Sequence, residues 1–127
     1  MTKKIVKGKV IHGRKLGREL GFPTANIETD KEHDIEIGVW LVKVAFEGEK
    51  YWGIANIGKR PTVEKEDIKS VLEVNIFDFS KDLYENSIEV EFVSYLRPEK
   101  KFSSLNELKK GINEDILLAQ KLIKGNF

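Results

Sequence analysis

The sequence predicts an all-β domain: a small, mostly antiparallel barrel of about six short strands, with one C-terminal α-helix packed on it. Three observations carry that reading. Apolar residues recur with period two along most of the chain, the signature of strands whose side chains alternate between two faces. The period becomes helical only after Pro98. The length of 127 residues suits a single domain, 1–127, since domains cluster at roughly 100–150 residues.

The strands follow in order. Val6, Gly8 and Val10 alternate with Lys7 and Lys9. Trp40, Val42, Val44 and Phe46 share one face of a second run, and Trp52 and Ile54 begin a third. Glu47-Gly48-Glu49-Lys50 between those runs reads as a hairpin turn, because glycine accepts positive φ. Leu72, Val74 and Ile76 point one way while Glu73 and Asn75 point the other. Ile88, Val90 and Phe92 alternate with Glu89 and Glu91. The helix stripe is Leu105, Leu108, Ile112, Ile116 and Ala119, continued by Leu122 and Ile123. Ser104 with Glu107 is its capping-box start and Gly125 its expected stop. The polar stretches from Glu28 to Glu36 and from Glu64 to Ser70 are expected to be surface loops.

Composition excludes several classes. Hydrophobic residues are 40% and charged ones 34%, which argues against both a membrane protein and a disordered chain. Lys and Arg total 22 against 21 Asp and Glu, a net charge of +1, so nothing pulls the whole chain toward nucleic acid or an acidic membrane. With no cysteine there is no disulfide, thiol nucleophile or thiolate metal site. No signal peptide or membrane span is visible, and the expectation is a cytoplasmic monomer without nucleic-acid or membrane partners.

The most unusual segment runs from Gly13 to Asn26. Gly13, Gly17 and Gly21 interleave with Arg14, Lys15 and Arg18. Backbone N–H groups freed by glycine can point at phosphate oxygens, and the cations add charge. It lacks the Gly-Lys-Ser/Thr of a Walker loop, and a basic surface loop is the simpler reading. Thr24 and Asn26, two apart on extended chain, offer hard oxygen ligands of the kind that suit Mg²⁺ bridging substrate phosphates, or they cap a turn. Glu73 is a carboxylate on an otherwise apolar strand with Asn75 on the same face; it is either an exposed strand glutamate or a base. His12 and His33, the only histidines, fit no metal motif. Phe102 among Arg97, Lys100 and Lys101 either flanks a planar ligand or staples the helix start.

Four ordered blocks make the chain resemble the riboflavin kinase family over nearly its whole length. They are the glycine loop leading into Pro23-Thr24-Ala25-Asn26, then Ala55-Asn56-Ile57-Gly58-Lys59-Arg60-Pro61-Thr62, then Leu72-Glu73-Val74-Asn75-Ile76-Phe77-Asp78-Phe79 with Asp82-Leu83-Tyr84, and finally Leu96-Arg97-Pro98-Glu99-Lys100-Lys101-Phe102. The chain most resembles the kinase module that bacteria usually fuse to an FAD-synthesising adenylyltransferase.

The resemblance implies a flattened Greek-key barrel that transfers the γ-phosphate of ATP to the ribityl 5′-hydroxyl of riboflavin, yielding FMN and ADP with Mg²⁺. It gives Gly13 and Arg18 to the phosphate loop, and Thr24 and Asn26 to the metal with the nucleotide phosphates. Glu73 takes the general-base position. Ile76, Asp78 and Tyr84 match the nucleotide pocket, and Arg97, Lys100 and Phe102 the flavin side. Asn75 stands where many relatives have His, and Glu85-Asn86 where they have a glycine after the tyrosine. No FAD synthesis is expected, because the His-x-Gly-His type signature is absent: His12-Gly13 is followed by Arg14. The rival readings are a nucleic-acid-binding barrel, which would call for aromatics among the N-terminal cations, and a non-catalytic flavin- or nucleotide-binding regulatory module, which would need neither metal ligands nor a base.

Overall fold

The computed structural model describes residues 4–11, 24–29, 35–61, 68–78 and 86–126. The expectations for Gly13, Arg18 and Tyr84, and for the rest of the glycine loop, both histidines and Glu85, lie outside those residues. Alternating, Val- and Ile-rich runs fit a pleated surface with one face on a core, and they form β1 (Lys4–Ile11), β2 (Ala25–Thr29), β3 (Gly38–Phe46), β4 (Glu49–Pro61), β5 (Ile68–Ile76) and β6 (Ser87–Arg97). The chain then enters α1 (Leu105–Asn126).

The six strands close a barrel in the order β1-β2-β5-β4-β3-β6, and every pairing is antiparallel. Strands β3, β4 and β5 are consecutive neighbours, and β6 returns to lie beside β3, which makes a Greek key. Among the described strands, closure leaves no edge open to another chain. Glu47 (φ 51°) and Gly48 (φ 80°) turn β3 into β4, both positive as a two-residue type I′ hairpin requires.

Period two sorts the side chains into two cores. Inside the barrel, the buried residues include Val10, Ile27, Val42, Val44, Ile57, Leu72, Val74 and Val90. On the outer face of β3 and β4, Val39, Leu41 and Ile54 pack with Ala119, and Ile116, Leu122 and Ile123 of α1 lie partly buried against them. Among the described residues fourteen buried positions belong to the interior cluster and four to the helix side. At roughly 1.5–3 kcal/mol per buried aliphatic side chain, the barrel interior holds the fold and the helix is a cover.

Four local expectations need correction. Glu28 and Thr29 belong to β2, and Ile68 to Ser70 belong to β5, because barrel pairing extends both strands beyond their apolar alternation: Thr29 faces Gly8 and Ile68 faces Pro61. Leu105 opens α1 but is 55% exposed and lies outside the helix-side cluster. The helix passes Gly125 to end at Asn126. As the alternation predicts, Trp52 and Ile54 share one face of β4, the helix-covered one, while Ala55 and Ile57 face the interior. No helix among the described residues is long and apolar enough to cross a membrane.

Candidate active site

Register brings three of the predicted residues, Asn26, Glu73 and Arg97, into one row across the outer face of the barrel. Asn26 of β2 faces Glu73 of β5. Glu73 also faces Asn56 of β4, which faces Val39 of β3, which faces Arg97 of β6. Directly opposed residues hold their Cβ atoms about 4.5–5.5 Å apart, and adjacent strands lie about 4.8 Å apart. Glu73 therefore stands within side-chain reach of Asn26 and Asn56. Arg97 is three strand spacings further, on the order of 15 Å along the curved surface.

The row is outward because its sequence neighbours point in. Leu72 and Val74 are 1% exposed in the interior, which turns Glu73 and Asn75 to the opposite face, half-buried. Asn26, only 9% exposed, sits beside the buried Ile27. Thr24 is half-buried, one residue before β2 begins, and the extended chain carries it two residues from Asn26. Ile76 is partly buried against the interior cluster. Asp78 lies exposed in the turn after β5 with φ 52°.

At the far end of the row, Arg97 is pinned. Its Nε and Nη2 donate to Oδ1 and Oδ2 of Asp115 on α1, both at 2.7 Å, and Nη1 donates to the Pro98 carbonyl at 2.9 Å. The Asp115 hydrogen bond holds the guanidinium above its ordinary pKa, outweighing burial, which pulls it down. Arg97 and Lys100 both approach the Phe102 ring, at 5.9 and 5.7 Å from its centroid. The ring rests on Gly111 of α1: a Cβ there would lie 2.5 Å from Cε1 and 2.6 Å from Cζ of Phe102. The three residues expected on the flavin side thus gather around one aromatic ring.

The helix start below that ring is capped as the sequence predicts, with one change of partner. Ser104 Oγ accepts the Glu107 N–H at 3.1 Å, but the Glu107 carboxylate reaches back to Ser103, accepting from its N–H at 3.1 Å and from its hydroxyl at 2.5 Å. Those bonds hold the Glu107 carboxyl below the usual carboxylate range.

Two residues of this region were missed by the motifs weighed for chemistry. Asp115 carries the pin, and its signal was an acidic residue three after Ile112 and four before Ala119, on the apolar stripe itself. Asn56 completes the row, and its signal was a poor strand former in the middle of a run. Among the described residues no group of three or more His, Cys, Asp or Glu could hold a metal ion.

The family model for riboflavin kinase (flavokinase) matches residues 2–123. The chain is 45% identical over 117 residues, 92% of its length, to the bifunctional riboflavin kinase/FMN adenylyltransferase of Pseudomonas fluorescens, of which it covers 37%. It is 39% identical over 117 residues to the RNA-binding riboflavin kinase RibR of Bacillus subtilis, covering 92% of this chain and 50% of that one. The fold resembles that of riboflavin kinase from Trypanosoma brucei, with a TM-score of 0.66 at 24% identity over 99% of this chain and 83% of that one. The chain belongs to the riboflavin kinase family. It spans a little over a third of the length of the bifunctional relative that it matches.

Proposed function

We propose that the chain transfers the γ-phosphoryl group of ATP to the ribityl 5′-hydroxyl of riboflavin, giving FMN and ADP. The observation that carries this reading is the pairing of Glu73 with Asn26 across β5 and β2 in a chain of this family. The 5′-oxygen forms a bond to phosphorus as the bond from phosphorus to the ADP oxygen breaks. The hydroxyl proton passes to the Glu73 carboxylate, a transfer worth roughly 10²–10⁴ in rate when the base is positioned. Because β5 turns Glu73 away from the interior, it faces a substrate rather than the core.

The donor set fits Mg²⁺. Thr24 and Asn26 present hard oxygens, the ligand type taken by an ion that keeps waters and bridges phosphates. When bound, Mg²⁺ would offset the charge that gathers on the phosphate oxygens. The chain's own part is to hold the nucleotide at Thr24 and Asn26, with Ile76 at the end of β5 and Asp78 in the turn after it, and to hold the flavin near Arg97, Lys100 and Phe102. The distance from Glu73 to Arg97, on the order of 15 Å along the row, suits two substrates meeting end to end at Glu73.

No nucleic-acid partner is proposed: the Bacillus subtilis relative carries RNA binding in its name, but half of its length lies outside the match. The test is chromatographic. Purified chain with riboflavin and excess MgATP should accumulate FMN and ADP in equal amounts. No FMN would sink the reading. Appreciable FAD with pyrophosphate would overturn the expectation, drawn from the absent His-x-Gly-His signature, that these 127 residues stop at FMN.

A further inference from the structure

The outward residues of β4 change character along the strand. Trp52 and Ile54 pack into the helix-side cluster. Asn56, next on that face, is exposed. Beyond it the Glu99 carboxylate fills the space over Gly58 where a Cβ would project. Asn56 thus stands where the helix cover ends, with Glu73 directly opposite on β5 and Glu99 next along the strand.

Asparagine is a poor strand former, and in the middle of a 13-residue strand it serves no turn or helix cap. Its amide carries both donors and an acceptor. A carboxylate base alone recognises a hydroxyl by one hydrogen bond. A polyol arm presents neighbouring hydroxyls, each of which donates and accepts. An amide and a carboxylate with Cβ atoms about 5 Å apart can grip two neighbouring hydroxyls at once, one by each group. That grip fixes which hydroxyl lies at the base.

We propose that Asn56 is a specificity-determining residue, hydrogen-bonding the ribityl 4′-hydroxyl while Glu73 receives the proton of the 5′-hydroxyl. This inference rests on the reading of the chain as a riboflavin kinase with Glu73 as base. It makes the row Asn26–Glu73–Asn56 a division of labour: phosphate side, reacting hydroxyl, neighbouring hydroxyl. Asn26 is nearly buried and Asn56 exposed, in keeping with a partner for Asn56 that arrives from outside.

The experiment compares kcat/KM for riboflavin and for 4′-deoxyriboflavin in the parent and in Asn56→Leu, with a melting curve for each protein. The parent should prefer riboflavin by about 10- to 100-fold, the scale of one hydrogen bond whose loss leaves its partner unpaired. Asn56→Leu should lose that factor on riboflavin and almost nothing on the deoxy analogue. Asn56→Thr, which replaces the amide with a hydroxyl that can still donate and accept and favours strand, should restore part of the preference. An equal loss on both substrates, or a parent that uses both equally well, overturns the assignment and leaves the kinase reading standing. A parent that phosphorylates neither substrate overturns the kinase reading itself, and this assignment with it.

Discussion

Arg97 at the end of β6 and Asp115 on α1 form a two-pronged ion pair, with both N–O distances at 2.7 Å. Asp115 is 8% exposed at its side chain and Arg97 25%. The pair joins helix to barrel at the point where the Pro98–Ser104 segment begins. It also sets how Arg97 can act on a ligand: the guanidinium is already neutralised, so its main effect is to fix the loop that carries Lys100 and Phe102.

Asp115→Ala should therefore destabilise the fold by about 1.5–3 kcal/mol, the range for a hydrogen bond to a charged group. Arg97→Lys should not keep the lost stability, because an ammonium cannot reproduce the parallel fork. Thermal unfolding checks both. An Arg97→Lys protein that melts with the parent would remove the fork geometry from the account.

A related expectation concerns Phe102 and Gly111. Alanine replacing glycine inside a helix ordinarily stabilises by about 0.5–1 kcal/mol. Here the new methyl would meet the Phe102 ring at 2.5 Å, so Gly111→Ala should lose that gain and displace the ring, while Gly111→Ala with Phe102→Ala should recover it. On the flavin-side reading, Phe102→Ala should weaken the quenching of riboflavin fluorescence on titration, as should Arg97→Ala and Asp115→Ala by similar factors. Normal binding in all three variants would make the segment purely structural.

The sequence made the barrel legible because alternation needs no partner to be visible. Leu72, Val74 and Ile76 against Glu73 and Asn75 can be read from five consecutive residues, and the interior cluster contains the apolar set. The helix start was legible because Ser104 and Glu107 are close in sequence. What stayed hidden was set by strand neighbours distant along the chain. That Asn26, Glu73 and Asn56 share a row depends on β2 pairing with β5 and β5 with β4, which no local pattern states. Asp115 was hidden for a similar reason, since its partner lies 18 residues away on another element. The resemblance singled out Glu73, Asn26 and Arg97 one by one; the register brings them together.

The cap at the helix start carries a pH dependence of definite sign. Hydrogen bonds from Ser103 lower the Glu107 carboxyl pKa in the folded protein. A carboxyl lowered on folding contributes stability above its unfolded pKa, and loses that contribution as pH falls through its folded pKa. The parent should thus lose more melting temperature between neutral and acidic pH than Glu107→Gln does. Ser103→Ala should behave between the two. Equal acid losses in parent and Glu107→Gln would deny the cap any role in acid sensitivity.

Thr24→Ala and Asn26→Ala should each raise the Mg²⁺ concentration needed for half-maximal activity while leaving riboflavin affinity unchanged. The rise should be at least about tenfold, the loss seen even when residues one step removed from a metal are changed. Chelation should abolish turnover in the parent and restoration of Mg²⁺ should return it. Asn26 is nearly buried, so a melting curve must accompany its variant; Thr24 is half-buried and gives the cleaner reading. An unchanged Mg²⁺ requirement in both variants would return the two residues to turn capping.

Glu73→Gln tests the chemistry most directly. The substitution keeps the side chain's shape and its half-buried place opposite Asn26 and Asn56, so strand pairing and the interior packing of Leu72 and Val74 should survive. What it removes is the capacity to take a proton. If Glu73 is the base, kcat should fall by roughly 10²–10⁴, while the Kd for riboflavin, read by fluorescence, stays within a few-fold of the parent. A proportionate rise in KM at constant kcat would instead mean that the carboxylate only binds substrate. Single-turnover measurement with MgATP in excess separates the phosphoryl step from FMN release, since slow release can mask a slower chemical step. Turnover near the parent's under those conditions would take Glu73 out of the mechanism and leave the proton to water or to a phosphate oxygen.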